Sequence, residues 1–187
     1  MNGEETEIRG KVRYSKFGLA NGDSYRVDAD RNEVLADSVA VLLHAGSEFQ
    51  VAPWFIYADG LSRVGITGTW SSVNEVATRL NGGDLCTSAP DGARIVIGGL
   101  GWFESQNSGW YVKPEGRVRE AHDLLAILRG EPGSRRKCMD CFREYQTDPS
   151  SENRERFRSA YEAVPEHSRL YCGDMDSKDW PTRRVLR

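Results

Sequence analysis

Cys138-Met139-Asp140-Cys141 is the densest group of chemistry-bearing residues in the chain. A Cys-x-x-Cys pair can ligate zinc, and His167 and Cys172 downstream would complete a Cys3His set for a tetrahedral ion. The same pair can be a redox couple, but such couples open a helix after a strand in a thioredoxin-like unit, and no such pattern precedes this one. A third reading needs no chemistry. Cys138, Cys141, Phe142 and Tyr145 stand at i, i+3, i+4 and i+7, so they form one apolar helix face. Free cysteine packs there as a small hydrophobe. The spacing between His167 and Cys172 is loose for a zinc half-site, so core packing is the preferred reading, and neither a metal nor a cofactor is expected.

Asp174, Asp176 and Asp179 gather three carboxylates close together, which suits a hard cation such as Mg2+ or Ca2+. The spacing lacks the sixth-position Gly and the twelfth-position Glu of a calcium loop. Asp at such positions also caps a helix or closes a turn. The following Trp180-Pro181-Thr182-Arg183-Arg184 reads as an anchor for the tail, with Arg183 a candidate binding contact. Gly98, Gly99 and Gly101 invite a phosphate-loop reading, which fails because no Lys-Ser/Thr follows and the context is β. His44, His122 and His167 are scattered, so no nucleophile–base set can be assembled from the sequence. Among the aromatics, Trp54, Phe55, Tyr57, Trp102, Phe103 and Tyr111 read mostly as core by strand alternation. Trp70 and Trp110 stand beside Ser, Gly and Asn, and are the expected exposed contacts for a partner or ligand.

These residues need elements to position them. Phe49 to Ile66 is the most apolar run and folds back at Asp59-Gly60. A two-residue Asp-Gly loop suits a type I′ turn. It would pair Ala58 with Leu61, Ile56 with Arg63 and Trp54 with Gly65, leaving Phe55, Tyr57, Val64 and Ile66 on the other face. The first arm is apolar on both faces and so reads as a central strand, with Pro53 marking a bulge or a start at Trp54. Strands are also expected over Glu7–Tyr14, Ser24–Asp28, Val39–Leu43, Asp84–Thr87 and Ala93–Phe103. The last carries a bulge or bend at Gly98-Gly99, and an edge strand is expected over Trp110–Lys113. Ser72 with Glu75 forms a capping box ahead of a helix whose apolar face is Val73, Val76, Ala77 and Leu80, stopped by Gly82-Gly83. Then the period changes. Helices are expected over Arg117–Arg129 and Arg135–Gln146, and a third after Asp148-Pro149 as N-cap and N1. Strands first and helices after give an α+β fold: a curved antiparallel sheet or open barrel with one inserted helix, then a C-terminal segment of about three helices. The expected division is a β-rich body over 1–115 and a helical segment over 116–187, packed on the body.

Composition narrows the class of function. A formal charge of −3 and a pI near 5.7 argue against general nucleic-acid binding. Residues 134–187 hold 12 Lys/Arg against 10 Asp/Glu, and residues 1–133 hold 13 against 18, so an acidic body carries a slightly basic tail. The first residues have no apolar h-region, and no run approaches the roughly 20 apolar residues needed to span a bilayer. A cytoplasmic protein with reduced cysteines is expected.

Two stretches carry a resemblance. WFIYADGLSRVG, with the Asn74–Leu80 helix and PDGARIVIGGLGWF, resembles small bacterial β-domains found in proteins of unknown function. FRSAYEAVPEHSRLYCGDMDSKDWPTR resembles the C-terminal end of some of the same proteins. The resemblance implies a bacterial origin and an α+β fold, and no activity. With no assembled catalytic motif, the expected function is a binding module of toxin-neutralising or regulatory type that occupies a protein or small-ligand partner, its acidic surface suiting a basic one. The alternative is a hydrolase or transferase that uses Asp174, Asp176 and Asp179 with a divalent ion.

Overall fold

The computed structural model describes residues 11–12, 24–106, 112–172, 182 and 185. The chain divides into two compact units, Met1–Arg129 and Gly130–Arg187.

The first unit is built on one open sheet of nine strands among the described residues. These are β1 (Lys11–Val12), β2 (Ser24–Val27), β3 (Glu33–Ala45), β4 (Glu48–Tyr57), β5 (Leu61–Val64), β6 (Ser71–Ser72), β7 (Leu85–Cys86), β8 (Arg94–Ile97) and β9 (Gly101–Glu104). β1 to β6 follow one another across the sheet, while β7 pairs with β3, and β8 lies between β4 and β9. All pairings are antiparallel except the short one between β4 and β8. The fold is α+β as expected, and the sheet does not close into a barrel.

β3 and β4 form the long central hairpin, joined at Gly46-Ser47, with Gly46 at φ +67° supplying the left-handed backbone the tight turn requires. β4 is buried on both faces: Trp54 and Ile56 point one way, Phe55 and Tyr57 the other. Pro53 sits inside this strand, paired with Ala40, and makes no bulge. Its carbonyl accepts from the Gly65 N–H at 2.7 Å, so its missing donor falls on the same edge. That edge is where the partner of β4 changes from β5 to β8, and a ladder bond is dispensable there.

The β4–β5 turn departs from expectation. The loop has three residues, Ala58 to Gly60, and Trp54 pairs with Val64, Phe55 with Arg63 and Ile56 with Ser62. Gly60 donates to the Tyr57 carbonyl at 2.8 Å and has φ +92°, a type I turn closed by a left-handed glycine. One extra loop residue slips the register by one, and a one-residue slip exchanges the two faces of the returning strand. Val64 therefore joins Trp54 and Ile56, and Arg63 joins Phe55 and Tyr57. A second correction concerns Gly98-Gly99. The chain reverses there instead of bulging, because Gly99 at φ +78° lets the Leu100 N–H reach the Ile97 carbonyl at 3.0 Å.

Helix α1 (Val73–Gly82) starts at the expected capping box. The Glu75 N–H donates to the Ser72 hydroxyl at 3.2 Å, and the Ser72 N–H donates to the Glu75 carboxylate at 2.6 Å. Gly83, left-handed at φ +87°, ends it. Helix α2 (Pro114–Leu128) begins three residues earlier than the periodicity placed it, with Pro114 in its first turn. Val73, Val76 and Leu80 of α1 and Ala121 of α2 pack with Val39, Val41, Ala52, Trp54, Ile56 and Val64 into the main core. Each large apolar side chain fully buried there contributes about 1.5–3 kcal/mol.

The second unit is helical: α3 (Ser134–Thr147), α4 (Ser151–Ala163) and a 3-10 helix over Glu166–Cys172. α4 is capped by Ser150, whose hydroxyl accepts from the Asn153 N–H at 3.3 Å, in place of the expected Asp148. Asp148 instead closes α3 and accepts from the Asn153 side-chain amide at 3.0 Å. Cys138, Phe142, Phe157, Val164 and Cys172 form this unit's own core, with the Phe142 and Phe157 rings 5.1 Å apart.

Candidate functional site

The face of the sheet opposite α1 and α2 carries an arginine–aromatic cluster. Strand alternation places Arg26 of β2, Phe55 and Tyr57 of β4, and Arg63 of β5 on this face. Trp70 arrives from the segment entering β6. The Arg63 guanidinium lies 5.0 Å from the centre of the Trp70 ring and 5.6 Å from that of Phe55. Arg26 lies 5.5 Å from Trp70 and 5.6 Å from Tyr57. Tyr57 meets Trp70 edge-on at 5.3 Å. Two cations therefore share one indole, the best ring for holding them.

Burial makes this arrangement stiff. Arg63 is 6% exposed and Tyr57 1%, whereas Trp70 is 44% exposed, so a wet ring rests on a dry base. Arg26 makes an ion pair with Asp59 at the β4–β5 turn. The Arg26 Nε is buried with no hydrogen-bond partner among the described residues, so the ring faces and Asp59 hold the group. On the same turn Arg129 donates from Nε to the Ala58 carbonyl at 2.9 Å. Burial pushes the Tyr57 hydroxyl above its ordinary range, partly offset by the Arg63 charge and its hydrogen bond.

Trp, Tyr and Arg are the residue types that concentrate binding energy at protein interfaces, and here Trp70 reaches solvent while Tyr57 and Arg63 lie buried beneath it. Trp70 is the member that the sequence pointed to. Arg26 and Arg63 were missed because the two-residue turn placed Arg63 on the wrong face. The available signal was a charged residue in each of β2 and β5, the two strands that flank the central β3–β4 hairpin.

The other candidates divide in two. Trp110, Asp174, Asp176, Asp179 and Arg183 lie outside the described residues. The cysteines can be placed: Cys138 and Cys172 are fully buried, and Cys141 is half-buried beside them on α3. A hydrogen bond with Cys172, reinforced by burial, raises the Cys138 thiol above its ordinary range and so disfavours the reactive thiolate. Among the described residues no three His, Cys, Asp or Glu side chains converge as a metal site. Trp102 and Phe103, expected in the core, are 55% and 47% exposed, because β9 is an edge strand. The second unit has an open cleft of about 450 Å³ along α3 and α4, whose polar groups already meet one another, as in the Arg156–Glu144 ion pair at 2.9 Å.

Comparison with known proteins gives two matches. Residues 23–132 match the family described as Domain of unknown function (DUF7638), and residues 133–187 match Domain of unknown function (DUF7639). No curated protein and no solved structure matches the chain. The seam between the two matches falls beside the division between the compact units at Arg129 and Gly130. The chain therefore belongs to the DUF7638 family over its sheet-bearing part.

Proposed function

We propose that this chain is a binding module of regulatory or toxin-neutralising type, and that it engages a protein partner through the Trp70 face. The observation that carries the reading is the half-exposed Trp70 ring held by two guanidiniums on a buried sheet surface. A partner side chain stacking on Trp70 desolvates a ring whose rotamer is already fixed, so little entropy is lost on binding. Of the cations beneath the ring, Arg63 is buried and Arg26 is already paired to Asp59, so the contact offered to a partner is the Trp70 ring itself. A bacterial cytoplasm is the compartment that suits four free cysteines, two of them buried.

The test compares native co-purification by the wild-type chain, Trp70→Ala and Trp102→Ala, with the partner identified, purified and titrated by calorimetry. Trp70→Ala should weaken binding by about a hundredfold, the size of an interface hot spot. Trp102→Ala should leave it unchanged. Equal affinity for wild type and Trp70→Ala would refute the assignment of this face.

A further inference from the structure

We infer that the outer edge of β9 is a self-association site, at which a second copy of this chain adds its own β9 antiparallel across a two-fold axis at Phe103. β9 pairs with β8 alone among the described residues. All four of its residues are exposed, and Leu100 at the hairpin tip is 79% exposed. Such an edge normally carries a guard, a Lys, a Pro or a bulge, that prevents pairing. Here Trp102 and Phe103 stand in that place.

The backbone pattern fixes which register is possible. The Ser105 N–H donates to the Ala93 carbonyl at 2.7 Å, and the Ser105 carbonyl accepts from Gly92 at 2.8 Å, so Ser105 faces β8. Backbone direction alternates along a strand, so Gly101 and Phe103 also face β8, and Trp102 and Glu104 face outward. A second β9 must then place outward residues opposite outward residues. Centring the axis on Phe103 sets Trp102 of one copy opposite Glu104 of the other, each exchanging both backbone bonds. The two Phe103 rings meet as a cross-strand aromatic pair.

Charge selects this register over its neighbours. Arg94, Val96, Trp102 and Glu104 share one face of the β8–β9 hairpin. The Arg94 guanidinium lies 4.4 Å from the centre of the Trp102 ring, pairs through one nitrogen with Glu48 at 3.0 Å, and stands opposite Glu104 of its own chain. Setting Glu104 of the second copy opposite Trp102 brings its carboxylate toward the exposed side of that guanidinium, which it would share with Glu48, twice by symmetry. An axis on Trp102 would place Glu104 against Leu100 and forfeit both pairs. The contact is isologous, so it closes at two copies.

Light scattering and sedimentation of the full chain, from micromolar to millimolar concentration, test this. The wild type should show a concentration-dependent dimer. Phe103→Lys should be monomeric with an unchanged thermal melt, since the side chain is already half in water. Glu104→Gln should weaken the dimer about tenfold at low salt and by much less at high salt, because the contact it removes across the axis is ionic. A wild-type monomer throughout, or a dimer indifferent to Phe103→Lys, overturns the proposal. So does a Glu104→Gln variant that dimerises as tightly as the wild type at low salt.

Discussion

Gly68 is the position where one methyl group tests both the fold of the first unit and the delivery of Trp70. It lies in the segment between β5 and β6 that carries the indole onto its cations. A Cβ built there overlaps the Val64 carbonyl oxygen, and it would stand 3.0 Å from the Val64 carbonyl carbon and 3.2 Å from its nitrogen. These are backbone atoms of a residue packed in the main core beside Trp54 and Ile56. No rotamer change relieves the overlap, so either β5 or the segment must shift. Forced overpacking of this kind costs about 3 kcal/mol, roughly 10 °C in Tm for a unit of this size. Gly82→Ala is the matched control: its added methyl meets nothing within 4 Å, and it sits at the end of α1. That variant should be neutral or gain up to about 1 kcal/mol, since Ala is the better helix former. Urea unfolding followed by tryptophan fluorescence reads both changes, and the emission of Trp70 reports whether its environment moves. If Gly68→Ala lies within about 0.5 kcal/mol of wild type, the close approach of Val64 and Gly68 is wrong, and with it the path that brings Trp70 to Arg63.

Other outcomes follow from local chemistry. Ser72→Ala removes the hydroxyl that accepts from Glu75 and should cost about 1 kcal/mol in chemical denaturation. Cys138→Ala should cost about 1 kcal/mol or somewhat more, as for a small core group. Elemental analysis of the purified protein checks the accompanying expectation, because stoichiometric zinc would mean that losing one ligand unfolds the second unit. Tyr57 gives a pH signature. Its folded-state hydroxyl titrates higher than in the unfolded chain, so the unfolded state loses its proton first as pH rises. Stability is then full below about pH 10 and falls between the unfolded and the folded value. Tyr57→Phe should flatten that alkaline fall in thermal melts, and ultraviolet titration of phenolate should lose its latest component.

Much of the architecture was legible because local chemistry is decisive where it is local. The Ser72–Glu75 box, the Gly83 stop and the apolar stripe of α1 are written within one stretch of twelve residues, and each appears as read. β4 announced itself as central through apolar residues on both faces. That same property hid the register. Trp54, Phe55, Ile56 and Tyr57 accept either face, so nothing in the strand itself opposes a one-residue slip. Whether Asp59-Gly60 closes a two- or a three-residue loop depends on a hydrogen bond from Gly60 back to Tyr57. Ser150 in place of Asp148 is a similar near-tie: both side chains can cap, and the chain's path after α3 chose between them.

The sequence alone determined the α+β order, the inserted helix and the exposure of Trp70, since these rest on periodicity, caps and neighbouring small polar residues. Tertiary structure alone decided that Arg26 and Arg63 share that indole, 37 residues apart in the chain yet brought together across the sheet. It also decided that Trp102 and Phe103 stand in solvent on an edge. Alternation says which residues share a face of a strand. Only the order of strands in the sheet says which strand lies at the edge and which face a helix covers.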